Sequence, residues 1–217
     1  MLLGFSTHFF RNHRLTIEHL EQVAARAAMV EIFCTRTHFD WRDRNAVLEL
    51  RKFFRDSKLV LQSLHSPMSS DEMGGRGRPQ SMVNLANPEK IHRRDSVDEV
   101  KRAIEVTEEI PFKYLIQHLG VPYQEWDMHY VDAIFSSLSE LNVFAKQRDV
   151  EILLENIPNK LSSAHALLTI LEVTRLQNNF CFDTGHANIK AKEGGSIDEE
   201  FDLMKERIRA THVHDNN

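Results

Sequence analysis

The sequence predicts an α/β fold of the (β/α)8 TIM-barrel type, of which seven strands can be recognised and the eighth is missing. Short apolar runs alternate with longer segments whose apolar residues recur every three or four positions, as strands and helices alternate in βαβ units. Several of the short runs are apolar almost throughout, which is typical of strands buried on both faces of a parallel sheet. The first run is followed by STHFFRNH, without the glycine-rich turn of an open dinucleotide-binding sheet, so the closed barrel is favoured.

The seven short runs are predicted to be strands: Leu2–Ser6, Val30–Phe33, Leu59–Leu64, Tyr114–Gln117, Glu151–Leu154, Asn179–Phe182 and Ala210–Val213. An ordinary barrel has eight strands, and roughly 40 to 60 further residues would complete this one. We therefore expect a single domain over residues 1–217 that is incomplete as a barrel at its C-terminal end.

Six amphipathic segments between these runs are predicted to be helices. Two of them begin with capping boxes, Ser96 to Glu99 and Ser196 to Glu199, in which a hydroxyl and a carboxylate satisfy free backbone N–H groups. The connection from Ser66 to Asp95 has three glycines, three prolines and little periodicity. A loop of this length is usually a lid, a binding loop or disordered. Because it follows a strand, we expect it on the active-site face of the barrel, as a candidate lid.

Composition and charge argue against several classes of protein. The net charge of −5 provides no electrostatic footprint for nucleic acid. No apolar run approaches the roughly 20 residues of a membrane helix, and the N-terminus lacks the features of a signal peptide. Cys34 and Cys181 make neither a disulfide framework nor a zinc-finger spacing. We therefore expect a cytoplasmic protein whose metal ligands are nitrogen and oxygen atoms.

Five consecutive predicted strands end in side chains that can bind metal. They are His65 in LHSP, His118 in QHLG, Glu155 in ENIP, Asp183 in DTGHAN and His212 in HVHDN, with His186 shortly after Asp183. The strand ends of a barrel converge on one mouth, so these side chains are expected to meet there. Each one alone could be a separately hydrogen-bonded polar group, but buried carboxylates require a counter-charge, which a shared cation supplies. Imidazole and carboxylate together suit Zn²⁺, Mn²⁺, Co²⁺ or Fe²⁺, and we expect about one ion per chain.

Other side chains are weaker candidates for substrate binding. His8 and His38 follow the first and second strands, where barrel loops gather functional groups, and either could line the mouth. Trp41 and Trp126 could stack on a sugar ring or serve only in packing. Arg93 is one of four arginines around the long loop that could bind a phosphate or carboxylate, or could remain solvated.

The strand-end segments LHSP, QHLG, ENIP, DTGHAN and HVHDN together resemble the xylose isomerase-like barrel superfamily, over essentially the whole chain. This superfamily includes sugar isomerases and epimerases of the tagatose 3-epimerase type, and endonuclease IV. The resemblance implies that Glu155, Asp183 and His212 are ligands of a central divalent ion, with Zn, Mn, Co and Mg left open. His212 is preferred to His214 because the family pattern is a histidine, two residues and an acid, which here is Asp215.

The resemblance implies two kinds of enzyme. In the epimerases, Glu155 would be one of two metal-bound acid/base carboxylates, the other coming from the eighth strand, and His186 would bond the substrate oxygens. In endonuclease IV, His65 and His118 would join Glu155 around one zinc. Glu155, Asp183 and His212 would hold a second zinc, and His186 would belong to a third. An isomerase needs one metal, a carboxylate base and a lid, whereas a nuclease also needs a basic DNA-binding surface.

We predict an isomerase or epimerase of a sugar or sugar phosphate. The net charge of the chain is negative, which argues against the basic surface that binding to a phosphate backbone requires. An endonuclease IV-like phosphodiesterase is the alternative. A third interpretation is a barrel that binds sugar or metal without turnover, since the eighth strand and its glutamate are absent from this sequence. The expected partner is a small-molecule sugar, with a homo-oligomer possible, and neither a membrane nor a nucleic acid.

Overall fold

Strands and helices alternate along the chain in the computed structural model, which describes residues 3–70, 81–192 and 194–214. The strands are β1 (Gly4–Ser6), β2 (Met29–Phe33), β3 (Val60–His65), β4 (Ser69–Ser70), β5 (Ser81–Met82), β6 (Tyr114–Gln117), β7 (Glu151–Glu155), β8 (Asn179–Asp183) and β9 (Ile208–His212). The helices are α1 (Ile17–Ala24), α2 (Arg44–Asp56), α3 (Lys90–Glu105), α4 (His129–Lys146), α5 (Ala164–Thr174), α6 (Thr184–Lys192) and α7 (Ile197–Met204). Short 3-10 helices follow β1, α3 and α7.

Seven of these strands form one sheet in the order β1-β2-β3-β6-β7-β8-β9, and β4 pairs with β5. The pairs β1–β2, β2–β3, β7–β8 and β8–β9 are parallel. At least one helix lies in the connection between each strand of this sheet and the next. The predicted α/β alternation with seven strands of a TIM-type barrel is therefore confirmed, and the sheet has no eighth strand within the described ranges.

The chain divides into two compact units. The first comprises Met1–Ser81, Asp98–Leu115 and Val143–Glu151, and the second comprises Met82–Val97, Ile116–Asn142 and Ile152–Asn217. In the first unit, β2 is buried after its first residue, and in the second unit the same holds for β8. The inner residues of β8 are apolar, as expected for a strand buried on both faces. β2 also buries Glu31, whose carboxylate accepts from the hydroxyls of Ser6 at 3.1 Å and Ser63 at 2.8 Å. That residues 1–217 form a single domain stays a prediction.

Local signals in the sequence explain where several helices begin. Asp43 caps α2, since its carboxylate accepts from the N–H of Asn45 at 2.9 Å. Ser196 caps α7 by accepting from the N–H of Glu199 at 3.4 Å, at the position where a capping box was expected. Helix α6 is missing from the six predicted helices because its sequence, TGHANIKAK, has no apolar stripe. No helix in the described ranges has both the length and the hydropathy to cross a membrane.

The predicted start of the third helix is wrong, because α3 begins at Lys90 rather than at Ser96. Ser96 lies inside the helix, where its hydroxyl donates to the carbonyl of His92 at 3.0 Å and accepts from the N–H of Asn84 at 3.0 Å. A hydroxyl engaged in this way cannot cap a first turn.

Because α3 begins at Lys90, the candidate lid between Ser66 and Asp95 ends in helix. Residues 71–80 of it lie outside the described ranges, and the lid stays a prediction.

Glu99, expected in that capping box, is instead a buried carboxylate of the first unit, with 1% of its side chain exposed. Arg42 Nε donates to Oε1 at 3.0 Å, and Arg102 Nη1 donates to Oε2 at 2.8 Å. Because two guanidinium groups offset the burial of one charge, we expect Glu99→Gln to lower the free energy of unfolding by about 2 kcal/mol. This is less than the cost at a wholly buried pair, since Arg102 reaches solvent. Urea unfolding followed by circular dichroism measures the change.

Glu109→Gln is the matched control for this stability prediction. Glu109 also belongs to the first unit and pairs with Arg51 at 2.7 Å, but 28% of its side chain and 55% of that of Arg51 are exposed. An exposed ion pair contributes less than about 1 kcal/mol. Equal losses in the two variants would contradict the role assigned to Glu99.

Candidate metal centre

Strands β7, β8 and β9 end side by side in the second unit. Their register pairs Glu155 with Cys181 and Asp183 with His212. His212 Nδ1 lies 2.8 Å from Glu155 Oε1 and 3.8 Å from Asp183 Oδ2. The structure therefore brings together the three residues that the sequence analysis names as central ligands, because parallel strands present their carboxyl ends at the same edge.

Glu155 is the most enclosed carboxylate of this group, with 1% of its side chain exposed. His118 Nε2 lies 2.8 Å from Oε2, and His212 Nδ1 lies 2.8 Å from Oε1. His186 Nδ1 is 3.9 Å from Oε1. Each oxygen of Glu155 thus faces a ring nitrogen. The two contacts of 2.8 Å are hydrogen-bond distances, and atoms bound to one tetrahedral Zn²⁺ at about 2.0–2.1 Å would lie roughly 3.3 Å apart, so the ring nitrogens would move only slightly to share a cation with this carboxylate.

Asp183 ends β8 and is held by the first turn of α6. The N–H of His186 donates to Oδ1 at 2.6 Å, and His214 Nε2 lies 3.0 Å from Oδ1 and 3.1 Å from Oδ2. Burial raises the pKa of Asp183, and the neighbouring carboxylate of Glu155 adds to this rise, while His186 and His214 oppose it. The ionised form of this carboxyl therefore needs positive charge nearby.

Asn156 orients both Asp183 and His186, although it was not among the residues predicted for the site. Its side-chain amide donates to the carbonyl of Asp183 at 2.9 Å and accepts from the N–H of Asp183 at 2.7 Å. Its own carbonyl lies 2.9 Å from His186 Nδ1. The side chain fixes the end of β8, and the carbonyl fixes the ring of His186, which is how outer groups commonly orient metal ligands. Its position directly after Glu155 in ENIP was the available signal.

Cys181 is a second residue of this region that was not predicted for the site. One ligand atom each from Glu155, Cys181 and His212 lie within 4.8 Å of one another, and Cys181 is fully buried. A thiol is therefore within reach of the candidate centre, and the expectation that the metal ligands are nitrogen and oxygen atoms stays a prediction. Cys181 stands two residues before Asp183 on β8, so both side chains point to the same face of the strand. That alternation was the signal from which its position could have been found.

His65 ends β3 in the first unit. It is buried, its Nδ1 lies 3.0 Å from the carbonyl of Ser66, and its ring centroid lies 4.4 Å from that of Phe33. Its predicted role as a metal ligand stays a prediction.

Three of the weaker candidates also belong to the first unit. His8 Nε2 lies 2.6 Å from Arg11 Nη1. Trp41 is 4% exposed. His38 is a packed core residue, because its two ring nitrogens lie 2.7 Å from the carbonyl of His13 and 2.9 Å from Thr7 Oγ1. Burial lowers the pKa of His38, so it is neutral at pH 7. Substrate binding by His8 and Trp41 stays a prediction.

Arg93 lies on α3 in the second unit. Its Nη1 donates to the carbonyl of Asn87 at 2.8 Å and to that of Pro88 at 3.2 Å, directly before the helix. The guanidinium therefore stabilises the turn into its own helix. Its predicted contact with substrate stays a prediction.

The side chains at these strand ends fit a divalent cation. Two buried carboxylates approached by several imidazoles, with a thiol nearby, form the donor set that Zn²⁺ and related ions bind. Burial of the carboxylates without a counter-charge would be costly, and Asp183 shows this cost in its raised pKa.

The protein has parallel strands that alternate with helices, and carboxylate and imidazole groups stand at the ends of these strands. The alternation places it among the TIM-type barrel proteins, and the groups at the strand ends form a candidate metal centre. The family model of the xylose isomerase-like TIM barrel matches residues 21–217, and the chain belongs to this family. The match includes every residue of the centre described above.

Relatives and solved structures agree with this assignment. The uncharacterized protein MJ1311 of Methanocaldococcus jannaschii is 28% identical over 228 residues, which cover 100% of this chain and 71% of the relative. A D-tagatose 3-epimerase-like protein is similar in structure, with a TM-score of 0.77, 24% identity, and coverage of 100% of this chain and 77% of the other. The IOLI protein with a binding zinc atom has a TM-score of 0.77 and 16% identity, with coverage of 100% and 74%. These two structures show the likeness in fold.

Proposed function

We propose that this protein is a divalent-metal-dependent isomerase or epimerase of a sugar or sugar phosphate. The observation that carries the proposal is the buried carboxylate of Glu155, which has an imidazole 2.8 Å from each of its oxygens at the end of a barrel strand. Membership of the xylose isomerase-like family and the likeness in fold to a D-tagatose 3-epimerase-like protein support the class of reaction.

Glu155, Asp183 and His212 would hold the cation, with His118 and His65 as further ligands. A divalent ion at this place would polarise the carbonyl and hydroxyl oxygens of an open-chain sugar. The zinc atom of the similar IOLI structure supports such a centre. The metal is one of Zn, Mn, Co or Mg.

Glu155 would act as the base that removes the proton from the carbon next to the substrate carbonyl. His118 and His212 hold its carboxylate in one orientation, so that little reorganisation is needed when the proton moves. His186 would bond a substrate oxygen, because the contact of its Nδ1 with the Asn156 carbonyl leaves Nε2 available. His8, Trp41 and Arg93 are proposed as substrate contacts on sequence grounds alone.

Solvent exchange of a sugar proton tests this proposal. The metal-loaded protein is incubated in D₂O with a panel of ketoses and their phosphates, and loss of the proton next to the carbonyl is followed by NMR. We expect metal-dependent exchange with at least one sugar, since proton removal is the first step of both isomerisation and epimerisation. If the protein binds metal but exchanges no proton in any sugar of the panel, the proposed reaction is wrong.

A multi-metal phosphodiesterase of the endonuclease IV type is the second candidate. The contact between His118 and Glu155 favours it, because in that enzyme a histidine at this position shares a zinc with the glutamate. This candidate predicts cleavage of a DNA duplex that contains an abasic site. It also predicts that the affinity of the protein for this duplex falls steeply as the salt concentration rises. Sugar-proton exchange without such cleavage would decide for the isomerase.

A further inference from the structure

Helix α6 carries His186 in its first turn and has little apolar surface of its own. The buried residues of the helix are Gly185 and Ala187, whose side chains are a hydrogen atom and a methyl group. A helix ordinarily keeps its place through a stripe of apolar side chains that packs against the core. The position of α6, and of the imidazole that it carries, therefore depends on polar contacts.

Glu200 of α7 is a buried carboxylate that supplies such contacts, with 9% of its side chain exposed. Its Oε1 accepts from Lys190 Nζ at 2.5 Å, and its Oε2 accepts from the N–H of Ala164 at 3.0 Å. Lys190 lies on α6, one turn after His186, and Ala164 is the first residue of α5. One carboxylate thus joins three helices of the second unit.

The charge of Glu200 is compensated from two directions. One is the ammonium group of Lys190, whose side chain is 34% exposed and reaches the carboxylate from the solvent side. The other is the N-terminus of α5, where free N–H groups and the helix dipole attract negative charge. Hydrogen bonds between charged groups are roughly twice as strong as those between neutral groups. The contact therefore ties α6 firmly to α5 and α7.

The ring of His186 depends on the direction of this helix. The N–H of His186 donates to Asp183 Oδ1 at 2.6 Å, and its Nδ1 lies 2.9 Å from the carbonyl of Asn156. Both contacts hold the start of α6, whereas Lys190 holds the helix one turn further along. Two points of attachment fix the direction of the helix axis, and one does not.

We propose that Lys190 and Glu200 are positioning residues, whose ion pair holds α6 in the orientation in which His186 presents Nε2 to a substrate oxygen. The contact with substrate rests on the proposed function, but the orientation of the ring does not. An interaction made equally with the bound substrate and with the transition state lowers KM and leaves kcat unchanged. Loss of the ion pair should therefore act on KM.

Lys190→Met tests the pair, because methionine keeps a long side chain and removes the charge. In the sugar-proton exchange of the Zn²⁺-loaded protein, we expect KM to rise about tenfold while kcat stays within about twofold. Glu200→Gln should have the same effect, since its amide oxygen can still accept from the N–H of Ala164. The double variant should be no worse than either single one, and Lys190→Arg should restore most of the affinity.

The His186 ring provides a readout that needs no substrate. Long-range proton–nitrogen NMR spectra show which ring nitrogen carries the proton, and the signals of His186 are identified by their absence in His186→Gln. The carbonyl of Asn156 favours the proton on Nδ1, so we expect this single tautomer in the wild type and in Lys190→Arg. Lys190→Met and Glu200→Gln should show a mixture of tautomers.

Lys205→Met is the matched control, because it also removes a lysine from an ion pair in the second unit. Lys205 lies directly after α7 and pairs with Asp202 at 3.0 Å, with 47% and 66% of the two side chains exposed. This variant should keep both the KM and the His186 spectrum of the wild type. Far-UV circular dichroism and thermal unfolding check that each variant is folded.

The outcomes separate a positioning role from a structural one. If Lys190→Met and Glu200→Gln lose thermal stability, or nothing, but keep the His186 spectrum and KM of the wild type, the positioning role is wrong. A wild-type His186 without a fixed Nδ1–H tautomer also overturns it. A changed His186 spectrum in a protein that exchanges no sugar proton would support the orientation of the ring and overturn the proposed function alone.

Discussion

Glu155→Gln is expected to lower the rate of sugar-proton exchange by at least about 100-fold, because an amide cannot accept the proton that a general base removes. The substitution keeps the shape of the side chain, and the hydrogen-bonding positions of His118 and His212 can be met by the amide. The loss should therefore appear in kcat at saturating metal, while the far-UV circular dichroism spectrum stays that of the wild type. Exchange measured by NMR in D₂O gives the rate.

Glu151→Gln is the matched control for this substitution, because Glu151 begins the same strand that Glu155 ends. It lies at the opposite end of β7 from the candidate centre, so its replacement should leave the exchange rate within about twofold of the wild type. Wild-type exchange in Glu155→Gln would show that another group is the base. A similar loss in both variants would point to damage of the strand rather than to lost chemistry.

Removal of divalent metal is expected to abolish the exchange and to lower the melting temperature. An ion present at about 100 times its Kd stabilises the folded state by about 2.7 kcal/mol, which corresponds to about 5–10 °C in Tm for a chain of this length. The physical reason is that the carboxylates of Glu155 and Asp183 are both buried, and the proposed cation would be their counter-charge. Thermal unfolding with and without a chelator, followed by return of Zn²⁺ or Mn²⁺, measures both effects.

His212→Ala tests whether this stabilisation arises at the proposed centre. Because His212 lies 2.8 Å from Glu155 and 3.8 Å from Asp183, its loss should reduce the metal-dependent rise in Tm. His165→Ala, at an exposed histidine of α5, is the matched control and should leave this rise unchanged. A melting temperature that is the same with chelator and with metal would contradict a bound cation in the native protein.

The strands of the fold could be predicted closely from the sequence. β6 was predicted with the same bounds, and β7 and β8 differ from their predictions by one residue at the end. Buried parallel strands are short apolar runs with polar flanks, and both properties are local. The helices were harder to predict. α6 has no apolar stripe. The start of α3 was misplaced because Ser96 and Glu99, which resemble a capping box, instead contact Asn84 and Arg42.

The candidate centre was predicted in part, from the residues that end the strands. Glu155, Asp183 and His212 do lie together, as the convergence of parallel strand ends requires. The signals for Asn156 and Cys181 were only their positions beside Glu155 and two residues before Asp183, and many residues that are not part of a site hold such positions. The packing of His214 against Gly185 could not be predicted from the sequence either, because Gly185 follows β8 and His214 follows β9.

The sequence by itself determined the alternation of strands and helices, the parallel sheet and the metal-binding residue types at consecutive strand ends. These follow from hydrophobic periodicity and from the order of residues, which are properties of short segments. Only the tertiary structure decided which atoms approach which: the imidazoles on each oxygen of Glu155, the thiol beside them and the second histidine on Asp183. Distances of this kind depend on register and side-chain packing between strands that are far apart in the chain, and no local pattern encodes them.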